Sequence, residues 1–181
     1  PLIENSIIPS SYRLTINAVS GYSGGGKSLI KRFEIEKDAA PGFYVYGTTL
    51  SHKHLPEMQQ YMGLDNPPLF TPSVGRYMQG MIVQVPIHLS KSLNSAQTPH
   101  KIHDVLSQHY DGSDFIMVNP LDSSRKPVEL SPEKVNHSNM LEINVFTNEA
   151  ETQCLLTATL DNLGKGASGA AIQSMDLMLD L

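Results

Sequence analysis

The chain has almost no cysteine. Cys154 is the only one in 181 residues, which excludes an internal disulfide framework. No apolar run approaches the roughly 18 residues that would span a bilayer as a helix, and no signal-peptide pattern is present. Positive charge is in deficit, with 13 Lys and Arg against 18 Asp and Glu and a net charge of −5. There is thus no electrostatic reason to expect a nucleic-acid partner. Repeats and low-complexity tracts are absent as well. The expectation is a cytoplasmic protein with neither membrane nor nucleic acid as a partner.

What is present suits one folded domain. Hydrophobic residues make up 40% and charged residues 17%, and the length allows a sizeable core. The chain opens on Pro1 rather than methionine. Pro1, Leu2 and Ile3 read as the tail of something longer, so a fragment is expected.

Residues 21–28, Gly-Tyr-Ser-Gly-Gly-Gly-Lys-Ser, fit the P-loop spelling G-x-x-x-x-G-K-[ST]. A strand pattern with Leu14, Ile16, Ala18 and Val19 leads into them and a helical pattern over 28–36 follows. Glycines let backbone N–H groups converge on an anion, and Lys27 could add a charge. A nucleotidase also needs a carboxylate after an apolar strand to hold magnesium. Only Asp161 is a fair candidate, and a second glycine-rich turn follows it. A doubly wound sheet needs strands alternating with helices of about ten to fifteen residues, whereas this helix ends before Pro41 and Gly42. An anion-handling loop ranks first, a plain surface loop second and an ATP-binding loop last.

The rest of the pattern predicts an α+β domain with a mixed, largely antiparallel sheet and helices on one face. Short strands are expected at 43–46 and 115–118, with a brief extended stretch at 69–72. The alternation of Met81, Val83, Val85, Ile87 and Leu89 predicts a strand over 80–89, with Pro86 arguing for an edge or a bulge. Pro56 and Gly63 bound a helix over 55–62. Thr98 and Pro99 open another that carries Ile102, Val105, Leu106 and His109, with Gly112 at the cap position. Residues 120–139 read as an exposed polar excursion with one helical turn near Pro132. Strands at 141–147 and 153–160 form an antiparallel hairpin, and a last helix starts near Ala167.

His52 and His54, with Glu57 three residues on, are the leading catalytic candidates. On a helix starting near Leu55, His54 and Glu57 lie one turn apart. A carboxylate there would fix the imidazole tautomer and favour its charged form, countering the helix N-terminus, which suits a general acid or base. Two exposed loop histidines are the plain alternative. No metal is expected, because neither Cys154 nor His88 has ligand spacing. Cys154 shares a strand face with Leu156, Ala158 and Leu160 and reads as a buried, inert thiol. Arg76 is either a bidentate anchor for a carboxylate or phosphate or a surface arginine in a turn. Lys27 and Lys165 each follow glycine-rich turns.

Five stretches together resemble the C-terminal catalytic and dimerisation domain of the N-acetyl-gamma-glutamyl-phosphate reductase family. They are residues 17–27 (Asn-Ala-Val-Ser-Gly-Tyr-Ser-Gly-Gly-Gly-Lys), 52–57 (His-Lys-His-Leu-Pro-Glu), 70–76 (Phe-Thr-Pro-Ser-Val-Gly-Arg), 79–86 (Gln-Gly-Met-Ile-Val-Gln-Val-Pro) and 160–173 (Leu-Asp-Asn-Leu-Gly-Lys-Gly-Ala-Ser-Gly-Ala-Ala-Ile-Gln). The resemblance implies a fold like the C-terminal domain of glyceraldehyde-3-phosphate dehydrogenase. It also implies NADPH-dependent reduction of an acyl phosphate to an aldehyde, with phosphate release, in arginine biosynthesis. In that chemistry a cysteine thiolate displaces phosphate, and hydride transfer to the thioester gives a thiohemiacetal that collapses to the aldehyde.

By the same resemblance His54, or else His52, shuttles the proton and Glu57 orients it. Ser20, Gly21, Ser23 and Gly24 lie near the nicotinamide and the acyl group, while Asn162, Lys165 and Gly166 line the cofactor side. The family's Pro-Gly-Cys-Tyr-Pro nucleophile and its dinucleotide-binding domain are missing from this sequence. NADP would therefore be held mainly by that other domain, against which residues 165–181 would pack, and the chain alone would be inactive. Gln79 stands where many members carry arginine, so Arg76 is expected to anchor substrate. A homo-oligomer is expected. The alternatives are a phosphate-binding or ATP-hydrolysing P-loop module, or a purely oligomerising domain.

Overall fold

The computed structural model describes residues 1–36, 40–89, 98–121 and 127–180. Its strands are β1 (Thr15–Gly21), β2 (Phe43–Val45), β3 (Leu69–Gly75), β4 (Met81–His88), β5 (Ile116–Val118), β6 (Leu141–Thr147) and β7 (Gln153–Leu160). They form one seven-stranded sheet in the order β2-β3-β1-β4-β7-β6-β5. The β1–β3 and β5–β6 pairs are parallel and the other four antiparallel, so the sheet is mixed and largely antiparallel. The helices are α1 (Gly26–Glu34), α2 (Leu55–Met62), α3 (Pro99–His109) and α4 (Gly169–Leu179).

Local chemistry sets the helix ends. Pro56 occupies the first turn of α2, where a missing N–H has no intrahelical partner. Gly63 ends that helix in the left-handed conformation at φ 69°, its N–H reaching the carbonyls of Gln59 and Gln60. The Thr98 hydroxyl caps α3 by accepting from the Lys101 N–H at 3.1 Å. That helix stops at Tyr110 rather than at Gly112, which forms a later left-handed turn.

Residues paired across strands share a sheet face, and alternate residues face opposite ways. One face carries Ile16, Ala18, Phe70, Val83, Ile87, Ile143 and Val145, and all three of the earlier helices pack there. From α3, Ile102, Val105 and Leu106 meet Ile87, Ile143 and Val145. Leu55 and Met58 of α2 meet Leu14, Ile16, Ala18 and Phe70, and Phe33 of α1 packs with Val74. No described helix packs on the opposite face. The segment around residues 132–139 reaches it, with Lys134 Nζ 2.6 Å from the buried Glu142 carboxylate.

Several sequence expectations need correction. The brief extended stretch at 69–72 is a seven-residue strand, because its parallel pairing with β1 runs to Gly75. Pro86 lies in the central strand rather than at a sheet edge. It falls beyond Gln84, the last β4 residue that β1 pairs, while the pairing with β7 continues to His88, so a missing N–H is tolerated. The excursion over 120–139 is not wholly exposed: Val135 is buried, and Asn136 Nδ2 donates to the Gln79 carbonyl at 2.9 Å. Residues 122–126 lie outside the described residues. The last helix starts two residues later than expected, after a wide helical turn at Gly164–Ser168.

Gly80 shows how tightly that excursion is seated. At φ +110° a Cβ there would lie 2.2 Å from the Pro132 carbonyl oxygen and 2.9 Å from Asn136 Oδ1. Gly80→Ala should cost about 2–4 kcal/mol in urea unfolding. Gly112→Ala, at φ +73° with open space around it, should cost about 1 kcal/mol. Equal losses would show that the contact with Pro132 does not matter.

Candidate functional site

Asp161, directly after β7, is 1% exposed. A buried carboxylate is costly unless its lone pairs are filled, and here they are. Oδ1 accepts from the Leu163 N–H at 2.8 Å. Oδ2 accepts from the His137 N–H at 2.8 Å and from Gln79 Nε2 at 2.5 Å, and the Gly164 N–H donates as well. Burial alone would raise its pKa, but the hydrogen bonds from Leu163, Gly164, His137 and Gln79 outweigh it and hold the group below the usual carboxylate range. One side chain thereby ties together the turn before β4, the 132–139 segment and the second glycine-rich turn.

Asn162 extends the junction to the first glycine-rich turn. Its Oδ1 accepts from the Gly80 N–H at 2.7 Å, and its Nδ2 donates to the buried Ser23 hydroxyl at 3.0 Å. Ser20 Oγ donates to the Gly21 carbonyl at 3.1 Å. Gly21 is buried so closely that a Cβ would stand 2.5 Å from the Met78 carbonyl oxygen. At Gly24 a Cβ would lie 3.0 Å from Ser20 Oγ and 3.7 Å from Asn162 Nδ2. Ser20, Gly21, Ser23, Gly24 and Asn162 are therefore one cluster at the C-terminal end of β1.

The turn that carries the P-loop spelling spends several of its donors within the fold. The N–H groups of Gly21, Tyr22 and Ser23 donate to the carbonyls of Gly80, Tyr77 and Met78, and the Gly26 N–H donates to Ser23. Four of the turn's donors are thereby engaged within the fold. Tyr22 stacks on Phe33 at 4.8 Å, locking the turn onto α1, and Lys27 is exposed.

The histidines stand further along the helical face of the sheet. His52 packs edge-on against Phe70, with ring centroids 5.0 Å apart, and lies 6.0 Å from Tyr46. Gly47 fits between it and Pro72: a Cβ would be 3.3 Å from Pro72 Cγ and 3.9 Å from His52 Cδ2. Phe70 and Pro72 pair with Ile16 and Ala18, whereas Ser20 pairs with Val74. The histidines and Ser20 thus share a face, about 7 Å apart per two-residue step along the strand.

His54 is exposed at the N-cap of α2, with its ring 5.0 Å from that of His52. Its backbone N–H donates to His52 Nδ1 at 3.3 Å. Burial, then His54, then Lys53 lower the His52 pKa, so His52 is neutral at pH 7. With Nδ1 accepting, its proton sits on Nε2. Glu57 is exposed in the first turn of α2, and among the described residues no ion pair joins it to His54.

The remaining candidates are scattered. Arg76 is exposed past the end of β3, its Nη1 3.5 Å from the Ala40 carbonyl oxygen. Lys165 Nζ donates to Gln173 Oε1 at 2.7 Å and lies 5.8 Å from the Phe115 ring centroid. The Gly166 N–H donates to the Asp161 carbonyl at 2.9 Å. Cys154 is buried, and burial pushes its thiol up to about 12. Among the described residues no group of three or more His, Cys, Asp or Glu could hold a metal ion, and no helix is long and apolar enough to cross a membrane. Sequence reasoning weighed Asp161 only as a magnesium ligand and missed its structural part. The signal available was a carboxylate between an apolar strand and a glycine turn, where free N–H groups gather.

The family described as "Semialdehyde dehydrogenase, dimerisation domain" matches residues 1–162. The chain is 44% identical over 181 residues to the N-acetyl-gamma-glutamyl-phosphate reductase of a Chelativorans species, covering 99% of this chain and 58% of that protein. It is 46% identical to N-acetyl-gamma-glutamyl-phosphate reductase 2 of a Nostoc species, covering 100% and 59%. The figures for the Brucella ovis reductase are 46%, 99% and 58%. The chain therefore spans somewhat more than half the length of these relatives. Aspartate semialdehyde dehydrogenase II from Vibrio cholerae shares the fold with a TM-score of 0.63 at 15% identity, over 92% of this chain and 55% of the other. A probable aspartate-semialdehyde dehydrogenase from Pseudomonas aeruginosa does so with a TM-score of 0.62 at 13% identity, over 92% and 54%.

The lowered pKa of Asp161 makes a signed prediction. Its stabilising contribution is complete above its unfolded pKa of about 3.9 and is lost as pH falls through the lower folded value. Asp161→Asn should lose about 1–3 kcal/mol at pH 7. Its stability, followed by urea unfolding between pH 7 and pH 2, should also fall less steeply below about pH 4 than that of the unsubstituted chain. Parallel acid limbs would show that Asp161 is not the group responsible.

Proposed function

Because the chain belongs to the family of semialdehyde dehydrogenase dimerisation domains, we propose that it is the substrate-binding and dimerising part of an N-acetyl-gamma-glutamyl-phosphate reductase of arginine biosynthesis. The observation that carries this reading is the likeness, along its whole length, to proteins of that name. The substrate is N-acetyl-glutamyl phosphate, and the products are the semialdehyde and free phosphate. We place the enzyme in the cytoplasm.

Among the residues here, His54 is the acid and base. It is exposed and, among the described residues, neither ring nitrogen is hydrogen-bonded, whereas the His52 ring has its Nδ1 occupied and its proton on Nε2. His52 is the positioning partner that holds the turn ahead of α2. Glu57, one turn away, steadies the imidazolium once formed. Ser20, Gly21 and Ser23 border the acyl group, and Arg76 takes a substrate carboxylate or phosphate by charge.

The lining near Gly24 suits an uncharged ring. Gly24 offers bare backbone beside the Ser20 hydroxyl and the Asn162 amide, with Lys165 and Gly166 on the cofactor side. NADP bound there supplies hydride. Most of the dinucleotide is held by another part of the enzyme, against which the exposed side chains of α4 pack. The thiolate also comes from elsewhere, because Cys154 is buried and its pKa is far above neutral. The uncovered sheet face dimerises.

Two measurements check the reading. The purified 181-residue chain should give no NADPH-dependent turnover of the acyl phosphate; measurable turnover would sink the assignment of the nucleophile. In the whole reductase, His54→Ala should lower kcat by roughly 10²–10⁴, with the circular dichroism spectrum unchanged and a smaller loss for His52→Ala. The reverse order would transfer the proton-shuttling role to His52.

A further inference from the structure

The sheet face that no helix covers carries a continuous polar row. In register across the strands it runs Thr71, Asn17, Gln84, Thr157, Asn144 and then Asn119, just past β5. The ends of the row are internally bonded. Thr71 Oγ1 donates to Asn17 Oδ1. Asn119 Nδ2 donates to Asn144 Oδ1 at 2.9 Å, and Asn144 Nδ2 donates to Thr157 Oγ1 at 3.3 Å. Gln84 lies between these half-networks on β4, the fourth of seven strands. Its side-chain amide bonds to no protein group among the described residues.

We propose that this row is the alignment device of the dimer, with Gln84 facing Gln84 of a second copy. The inference rests on the dimerising reading above and adds the register. A sheet face meant for water carries charges, and the core of an interface is depleted of them. Here the face presents a single Asp, Glu, Lys or Arg from its strands, Glu142, and that one is paired with Lys134 at 2.6 Å. A two-fold that brings a sheet face onto its copy lies in the plane between the sheets, and only residues next to the axis meet themselves.

Centred on the middle strand, the axis passes Gln84. Sheets pack about 10 Å apart, and glutamine is the longest side chain in the row, able to reach the mid-plane. An amide both donates and accepts, so two of them are self-complementary across the axis. A copy displaced along its strands by two residues would set the Gln84 amide against Ile82 or Pro86 and leave its donors unpaired.

The test uses opposite charges at this position, with size-exclusion chromatography and analytical ultracentrifugation. Gln84→Lys alone and Gln84→Glu alone each set like charges face to face, and each should weaken the dimer roughly a hundredfold or more. An equimolar mixture should recover a dimer containing one chain of each kind. If either variant unfolds when alone, co-expression replaces mixing, and the absence of a mixed dimer then counts against the pairing. A monomeric unsubstituted chain would overturn the dimerising function itself. A dimeric unsubstituted chain whose two variants stay dimeric, or dissociate without recovery on mixing, would overturn the Gln84 pairing alone.

Discussion

The buried carboxylate of Asp161 is the constraint on which the rest depends. An unpaired charge at 1% exposure would cost several kcal/mol, so the chain must deliver donors to it, and it does so from three directions. Two come from its own following turn, one from the backbone at His137 and one from the Gln79 side chain. Filling that site brings Gly80 within reach of Asn162, and Asn162 in turn holds Ser23. The geometry of the first glycine-rich turn is set by a residue about 140 positions away. The seating of 132–139 on the sheet follows from the same carboxylate.

Local rules made much of the fold legible. The helix over 55–62 begins and ends where Pro56 and Gly63 put it, and the hairpin of β6 and β7 follows from two alternating runs with a short link. What was not legible depended on partners distant in sequence. β3 is extended to Gly75 by β1, not by its own composition. Pro86 was read as an edge signal because a strand pattern cannot tell how far a neighbour reaches. The local rule held, since the pairing with β1 ends before Pro86, but it acted at one residue rather than along the whole strand.

The candidate site divides in the same way. Ser20, Gly21, Ser23, Gly24 and Asn162 were each visible in or beside glycine-rich turns, but their convergence was not, because the hydrogen bond between the two turns, from Asn162 to Ser23, spans about 140 positions. The histidine pair was visible from spacing alone. Its asymmetry was not: one backbone N–H, from His54 to His52 Nδ1, makes the rings inequivalent, and no periodicity carries that information. The Gly-rich spelling that resembles a phosphate cradle puts the N–H groups of Gly21, Tyr22 and Ser23 into bonds of the fold itself.

The polar row and the apolar face opposite it are two consequences of one alternation. Every second residue of β1, β3, β4 and β7 is committed to the helices, leaving the intervening ones to face away. Had those been charged, the face would be ordinary surface. Along the row through Gln84 they are hydroxyls and amides, groups that tolerate burial only when matched. Thr157 is already 2% exposed in the single chain, closed over by its neighbours in the row. A second sheet laid against this face would leave water no access to the Gln84 amide, so its hydrogen bonds would have to come from the other copy. The same chemistry that makes the row harmless in water would thus make it selective about register once covered.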